Sequence, residues 1–364
     1  MLIYFFIFIL SVIFAFFAFK TKKNKFAFIF FSCLAIIIPA FFAGIRIKGI
    51  GTDTNGYIDF VFYNCLSIKD FTSLLNYYSN SQVEFLFVFI DFFITRFTYL
   101  VNYSYFIFEL IFLLFGYLAC YHFDKDKFYF SYFLFLILYF NRSLNMCRQS
   151  IAIAIIMYNF KNIKDNKIFN YIFWIMIAML FHKTAVIAIL IYPLYKYYSN
   201  KKYGIVRKIS IIILLILGLY FFNSLIVLLN NFGILDNKYM LYLNAESSTV
   251  SWFEIFFKIL IIVISVLTYK TYTKKAVENE FLIFNFIIGT LLSLIGMKIS
   301  FGQRISYYFT YFIIFYLNNF GKIFKGNKQK IIVNAFIIFC DMLYSYICFG
   351  ILKWDQTVPF KSIF

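Results

Sequence analysis

The sequence lacks the motifs that many soluble enzymes carry, and it is poor in proline, histidine and acidic residues. It has no Walker loop, GxGxxG fingerprint, HExxH or GxSxG, so the nucleotide, zinc-peptidase and serine-hydrolase chemistries of those motifs have no support. Its six cysteines form no CxxC or Cys/His metal pattern. Only three prolines occur and no Pro/Gly/Ser-rich linker divides the chain, so we expect one continuous domain over residues 1–364.

Apolar side chains are what the sequence has in abundance. Of its residues 63% are hydrophobic and 25% aromatic, and the mean hydropathy is +0.83. This composition is typical of integral membrane proteins. The first apolar segment, residues 2–19, has no basic stretch before it and no clear cleavage site, so we expect a retained helix. The predicted fold class is an all-α, polytopic membrane protein.

The charge pattern indicates membrane topology rather than nucleic-acid binding. The chain carries 34 Lys and Arg against 16 Asp and Glu. More than half of the cations lie in five short loops at alternating ends of apolar segments, which the positive-inside rule assigns to the cytoplasm. These loops are residues 20–25, 161–167, 196–208, 270–275 and 322–330. Nucleic acid is therefore not an expected partner.

A membrane helix needs about 20 apolar residues, and we predict about 12 spans with both termini outside. The predicted spans are 2–19, 26–43, 104–121, 128–140, 150–160, 168–181, 184–195, 209–229, 253–269, 281–297, 305–319 and 331–351. Segment 83–100 is not counted, because crossing there would put loop 161–167 outside. It carries Glu84 and Asp91, one heptad apart on one helical face. We predict an interfacial or re-entrant helix that closes a long external loop, 44–103.

Polar residues break the apolar pattern in residues 44–57. Glycine lets backbone N–H groups approach an anion, and cations such as Arg46 can bind phosphate. An ordinary connecting loop is the alternative, because such residues are common in turns. The predicted topology puts Arg46, Asp53, Arg148, His182 and Arg304 on the external side, so we predict that they share one site.

Three further positions have two interpretations each. Arg148 begins a predicted helix on the outer side, where neither the positive-inside rule nor the helix dipole favours a cation. Its guanidinium either binds a phosphate of the substrate or reaches out to lipid headgroups. His182 separates two short apolar segments and can exchange a proton near neutral pH, although the residues alone favour a structural histidine. Arg304, Tyr307 and Tyr308 share a helical face that suits a phosphate or sugar, or an aromatic belt.

Taken in order, these motifs resemble those of EpsG-type, Wzy-like polysaccharide polymerases, which are bacterial membrane proteins that join lipid-linked oligosaccharide repeat units. The matching residues are Gly44-Ile45-Arg46, Gly51-Thr52-Asp53-Thr54 with Tyr57, Glu84, Arg148-Gln149-Ser150-Ile151-Ala152, Phe181-His182-Lys183-Thr184-Ala185, Arg304 with Tyr307, and Val358-Pro359-Phe360-Lys361. The resemblance covers nearly the whole chain. Phe360 departs from it, since a tyrosine is expected there.

The resemblance implies a fold, a location and a reaction. The fold would be a bundle like that of the C-type membrane glycosyltransferases, in the bacterial cytoplasmic (inner) membrane. Donor and acceptor would be oligosaccharides linked to undecaprenyl pyrophosphate, and the product an O-antigen, capsule or exopolysaccharide. A chain-length regulator and a flippase are candidate partners, and no metal or other cofactor is expected.

On this interpretation His182 is the first candidate for the general base and Asp53 the second. The predicted substrate-binding residues are Arg46, Glu84, Arg148, Arg304, Tyr307 and Tyr308. Two other functions stay open. A flippase for lipid-linked oligosaccharides is expected to carry charged residues in the middle of the membrane. A membrane O-acyltransferase acting on sugars could also use one histidine and arginines.

Overall fold

The computed structural model describes residues 1–52, 54–80, 83–220, 251–295 and 300–364, and these residues form helices joined by turns. The α-helices are α1 (Leu2–Lys20), α2 (Lys25–Gly44), α3 (Asp59–Ser67), α4 (Phe71–Asn80), α5 (Phe85–Ile94), α6 (Asn102–Phe123), α7 (Phe128–Asn145), α8 (Cys147–Lys164), α9 (Ile168–Met179), α10 (Ile191–Tyr198), α11 (Ile205–Tyr220), α12 (Trp252–Thr273), α13 (Glu278–Ile295), α14 (Ser300–Thr310), α15 (Ile313–Phe320) and α16 (Asn327–Ser345). Short 3₁₀ or π turns are Thr54–Ile58, Lys183–Leu190, Gly321–Ile323, Tyr346–Ile351 and Trp354–Gln356. Within these ranges no β-sheet occurs, which confirms the predicted all-α class.

Among the described helices, five are long and apolar enough to cross a membrane: α1, α2, α6, α12 and the segment Asn327–Ile351 that α16 begins. They support the predicted membrane protein. The predicted count of about 12 spans is not confirmed. Helix α9 has 12 residues, which is about 18 Å of helix against a hydrocarbon core of about 30 Å. The predicted span 209–229 lies partly outside the described residues.

Segment 83–100 contains only the ten-residue helix α5, about 15 Å long and too short to cross a bilayer alone. Its interfacial or re-entrant placement stays a prediction. The expected pairing of Glu84 and Asp91 on one helical face is wrong, because Glu84 precedes the helix in an extended conformation. Asp91 is instead buried and accepts a hydrogen bond of 2.6 Å from Ser104 Oγ.

The chain forms two compact units, and the prediction of a single domain over residues 1–364 stays a prediction. The first unit comprises Met1–Val186 and Gly326–Phe364, and the second comprises Ile187–Lys325.

In the first unit, α6 packs against α2, α7 and α8, and α8 also packs against α9. Helix α8 lies at the centre because its middle, residues 150–157, is buried on all sides. Buried polar groups need partners, and the amide of Asn159 donates to the carbonyl of Tyr171 at 2.8 Å, which ties α8 to α9. A single non-helical residue, Met146 (φ −93°, ψ 52°), separates α7 from α8.

In the second unit, α13 packs against α10, α12, α14 and α15. Buried amides join these helices: Asn285 Nδ2 donates to the carbonyl of Phe309 at 2.8 Å, and Asn319 Nδ2 to Asn279 Oδ1 at 2.7 Å. Each bond satisfies a group that would be costly to bury alone.

Candidate functional site

The motif loop (residues 45–58) rests on the C-terminal end of α7. Gly51 has φ +85°, and a Cβ atom there would lie 2.2 Å from the carbonyl oxygen of Leu144. Only glycine satisfies both the left-handed conformation and the close approach. Thr54 Oγ1 donates to the carbonyls of Ile50 (2.8 Å) and Gly51 (2.6 Å) at the start of the π turn. Gly51, one of the glycines predicted to bind an anion, therefore has a structural role.

The C-terminal tail (residues 352–364) pairs with the motif loop. The amide of Ile47 donates to the carbonyl of Lys361 at 3.0 Å, and the amide of Ile363 to the carbonyl of Ile45 at 2.9 Å. The chain's two ends also meet, because the Tyr4 hydroxyl donates to the carbonyl of Thr357 at 2.6 Å. Motifs from the beginning and the end of the sequence therefore lie at one end of the first unit.

Asn145, the last residue of α7, connects three segments. Its Oδ1 lies 2.5 Å from the Thr52 hydroxyl of the motif loop, and its Nδ2 donates to Asp355 Oδ1 of the tail at 2.7 Å. Asp355 has φ +59° and its carboxylate also lies 3.6 Å from Arg142 Nε. Strained backbone of this kind is common at functional sites. Here the contacts of the Asp355 carboxylate with Asn145 and Arg142 stabilise the strained conformation.

Next to this junction, Glu84 brings together two of the predicted site residues. Its Oε2 lies 2.5 Å from Arg148 Nη1, and its Oε1 lies 3.1 Å from His182 Nδ1. The His182 contact has ion-pair distance without the alignment of a full hydrogen bond. The backbone amide of Lys183 donates to the same Oε1 at 3.1 Å, and the amide of Leu86 donates to the carbonyl of Leu180 at 3.0 Å. These two hydrogen bonds join the start of α5 to residues 180–183, which follow α9.

The electrostatics of the cluster favour a charged carboxylate. Burial is the largest influence on Glu84 and on its own would raise the pKa. The close contact with His182, the charge of Arg148 and the hydrogen bond from the amide of Lys183 act in the opposite sense, and together they lower the pKa of Glu84 from 4.5 to about 2. Glu84 is therefore ionised over the physiological pH range, where it pairs with Arg148 and lies beside the His182 ring.

Aromatic rings fix the position of the Arg148 guanidinium. Its central carbon lies 4.3 Å from the ring centroid of Tyr57 and 5.8 Å from that of Phe87. The side chain is 14% exposed. Because Tyr57 belongs to the motif loop, cation–π contact links that loop to the first turn of α8.

A comparison with protein families identifies the group to which this arrangement belongs. The EpsG family matches residues 29–362, which include the motif loop, Glu84, Arg148, His182 and most of the tail. The chain belongs to the EpsG family. Membership puts it among membrane proteins of polysaccharide biosynthesis. Comparison with curated proteins and with solved structures gives no match.

Arg46 occupies a different position from the other predicted cations of this EpsG-family chain. Its guanidinium lies 4.3 Å from the ring centroid of Tyr105, and its Nη1 donates to the carbonyl of Ala43 at 2.8 Å. The residue is only 2% exposed. The buried Arg46 side chain therefore stabilises the start of the motif loop. Its direct contact with a substrate stays a prediction, which this buried conformation does not favour.

Asp53, the second candidate base, lies outside the described residues. Arg304, Tyr307 and Tyr308 belong to the second unit, on α14. Helix α14 is described from Ser300, so Arg304 stands in its second turn rather than at its start. Arg304 is exposed whereas both tyrosines are buried. That these residues share a site with Arg148 stays a prediction.

The sequence interpretation missed a second buried carboxylate near the loop. Asp59 is 2% exposed; it accepts a short hydrogen bond from the Tyr105 hydroxyl and lies 3.2 Å from Lys48 Nζ. The sequence signal for Asp59 was an acidic residue inside an apolar stretch. Burying such a charge in a membrane protein is costly, so it indicates a hydrogen-bonding or charged partner. Asn145 and Asp355 were also missed, because neither residue type stands out where it occurs.

Proposed function

We propose that this EpsG-family chain is a polymerase that joins undecaprenyl-pyrophosphate-linked oligosaccharide repeat units by glycosyl transfer at the outer face of the cytoplasmic membrane. The observation that carries the proposal is the contact of Glu84 with both Arg148 and His182 beside the motif loop. A cation for a leaving phosphate and a group that can take a proton are the two parts that this reaction needs.

Arg148 is suited to the leaving group. During transfer the bond between the anomeric carbon and the pyrophosphate oxygen breaks, and its electron pair stays on the pyrophosphate. A guanidinium has five N–H donors in a planar fork, so a bond to Glu84 is compatible with further bonds to phosphate oxygens. The Tyr57 and Phe87 rings hold the fork in place before the substrate arrives, which reduces reorganisation during the reaction.

His182 is suited to the acceptor. The acceptor hydroxyl forms the new bond to the anomeric carbon and must lose its proton. Glu84, close to Nδ1, favours the tautomer that carries its proton on Nδ1 and leaves Nε2 to accept one, as a carboxylate does for histidine in hydrolase triads. The same carboxylate stabilises the imidazolium that forms.

A lipid-linked glycan profile from a strain without this protein tests the proposal. A lost polymerase leaves single, translocated repeat units on the lipid at the outer face. A lost flippase would leave the repeats at the inner face, and a lost O-acyltransferase would leave polymer of normal length without acyl groups. Either of these two patterns would overturn the proposal.

Complementation with variants then tests the cluster. We expect Glu84→Gln and Arg148→Lys to restore little polymer per amount of protein found in the membrane, so that reduced protein levels are corrected for. Lys69→Gln is a matched control, because it removes an exposed cation from the same predicted external loop. If the control fails as badly as the cluster variants, loss of polymer does not report on the site.

A further inference from the structure

A polar cavity lies at the end of the first unit opposite the candidate site. It is bounded by the C-terminal ends of α6 and α8 and the beginning of α9, and its volume is about 540 Å³. Helix α6 begins beside the motif loop, where Asn102 donates to the carbonyls of Gly44 (2.7 Å) and Arg46 (3.0 Å). His122, in the cavity, lies 20 residues further along α6, about 30 Å away. The cavity is therefore distinct from the candidate site.

The cavity has an excess of positive charge. Its lining includes His122, Lys125, Lys161, Asp165, Lys167 and Trp174. Asp165 lies 3.1 Å from Lys167 Nζ, and both side chains are more than half exposed. That pair is neutral overall, so Lys125 and Lys161 supply the net charge. Lysines at a helix C-terminus also interact favourably with the helix dipole, but that interaction does not require a cavity.

Aromatic rings lie beside the two lysines. Lys161 Nζ lies 3.7 Å from the ring centroid of Tyr158 and contacts its hydroxyl, and Lys125 Nζ lies 5.8 Å from the ring centroid of Tyr121. Trp174 packs edge-on against Tyr158, with 5.1 Å between the ring centroids. The cavity thus combines two ammonium groups with an aromatic wall, a pairing that suits an anionic headgroup attached to an apolar group.

Helix α9, which lines the cavity with Asn170 and Trp174, also carries an exposed apolar surface. Phe169, Phe173 and Met176 follow one another at helical spacing and are exposed, Phe169 at 85%. In a membrane protein such a surface faces acyl chains. A ligand with a phosphate at one end and hydrocarbon at the other matches both the cavity and the surface. Basic pockets at the cytoplasmic ends of membrane helices bind anionic headgroups in this way.

We propose that this cavity binds the phosphate group of an anionic lipid, with the acyl chains along α9. The proposal concerns a site other than the polymerase site and does not rest on the proposed function. Free phosphate shares the chemistry of the headgroup, so the experiment must separate the two sources.

Native mass spectrometry of the full-length protein in detergent tests the proposal, with titration of phosphatidylglycerol and phosphatidylcholine. We expect phosphatidylglycerol to be retained more strongly. The double variant Lys125→Gln, Lys161→Gln should weaken its binding about 30-fold, the factor expected for two lysine contacts. Lys201→Gln with Lys202→Gln removes the same charge from exposed positions that do not line the cavity, and it should bind as the unmodified protein does.

A competition arm with inorganic phosphate identifies the source. Retention of phosphatidylglycerol in excess phosphate supports a lipid site, whereas its displacement means that the phosphate group alone suffices and overturns the lipid assignment. Equal retention of the two lipids, or equal losses in both double variants, would overturn the anion site itself. Circular dichroism of the variants shows whether each is folded, and Lys125→Gln alone provides a milder test.

Discussion

Replacing Glu84 by glutamine removes the charge that Arg148 and His182 share, with little change in size. The carboxylate is 6% exposed, and its oxygens lie 2.5 Å from Arg148 Nη1 and 3.1 Å from His182 Nδ1. Glutamine keeps an oxygen for the amide of Lys183 but leaves Arg148 without an opposite charge. Breaking a buried ion pair by removing one partner costs about 3–5 kcal/mol, so we expect the free energy of unfolding to fall by about that amount.

The pKa of Glu84 gives a second route to this magnitude. The pKa is about 2 in the folded chain against an ordinary value of 4.5. Each unit corresponds to about 1.4 kcal/mol, so the ionised carboxylate contributes about 3 kcal/mol to stability. Because the folded pKa lies below the unfolded one, this contribution is complete above pH 4.5 and is lost as the pH falls toward 2.

Denaturant unfolding of the purified protein in detergent, from about pH 7 to about pH 3, measures the effect. The difference in stability between the unmodified protein and Glu84→Gln should shrink as the pH falls below 4.5. Asp70→Asn provides a control, because Asp70 is exposed and accepts from the Ser73 amide at the start of α4, a bond that asparagine can also accept. A neutral-pH difference below about 1 kcal/mol would refute the buried-pair argument, and a difference independent of pH would assign the loss to packing.

The other predictions concern activity and the motif loop. Arg148→Lys should lose most polymer, measured by gel electrophoresis of surface glycans, because lysine lacks the planar fork that matches phosphate; normal polymer would contradict the pyrophosphate role. His182→Ala should slow polymerisation about 10²–10⁴-fold while donor binding persists; near-normal turnover, with none in Asp53→Asn, would transfer the role of base to Asp53. Gly51→Ala should lower the yield of folded protein, since its Cβ would clash with α7, whereas Gly56→Ala, with open space around it, should not; equal yields would refute the argument.

Helices were predictable where apolar runs are long. The predicted spans 104–121 and 253–269 correspond to α6 and α12, with ends shifted by a few residues. The predicted spans 128–140 and 150–160 left residues 141–149 between them, but α7 continues to Asn145. Polar side chains can remain in a buried helix when they find partners, and Asn141 accepts from the Thr357 hydroxyl at 3.0 Å. That partner lies more than 200 positions away in sequence, beyond the reach of local patterns.

The candidate site was predictable where charge interrupts apolar sequence. Arg148 and His182 were identified in this way, and the structure joins them through Glu84. Which cation Glu84 meets depends on how distant helices pack, so the sequence alone did not show the pairing. Arg46 shows the converse: a cation in a glycine-rich loop predicts exposure, yet the ring of Tyr105 and neighbouring backbone enclose it.

The contact of the Glu84 carboxylate with both Arg148 and His182 has a consequence for the proposed reaction. Oε2 faces Arg148 and Oε1 faces His182, so one charge orients both the group that meets the pyrophosphate and the group that takes the proton. In glycosyl transfer these two demands arise together, and a partner already in place for both reduces reorganisation. Glu84 and Arg148 then act as a unit, and the effects of substituting two residues in contact do not add. The double variant Glu84→Gln, Arg148→Lys should therefore lose less polymerisation rate than the product of the single losses; fully multiplicative losses would show that Glu84 and Arg148 act independently.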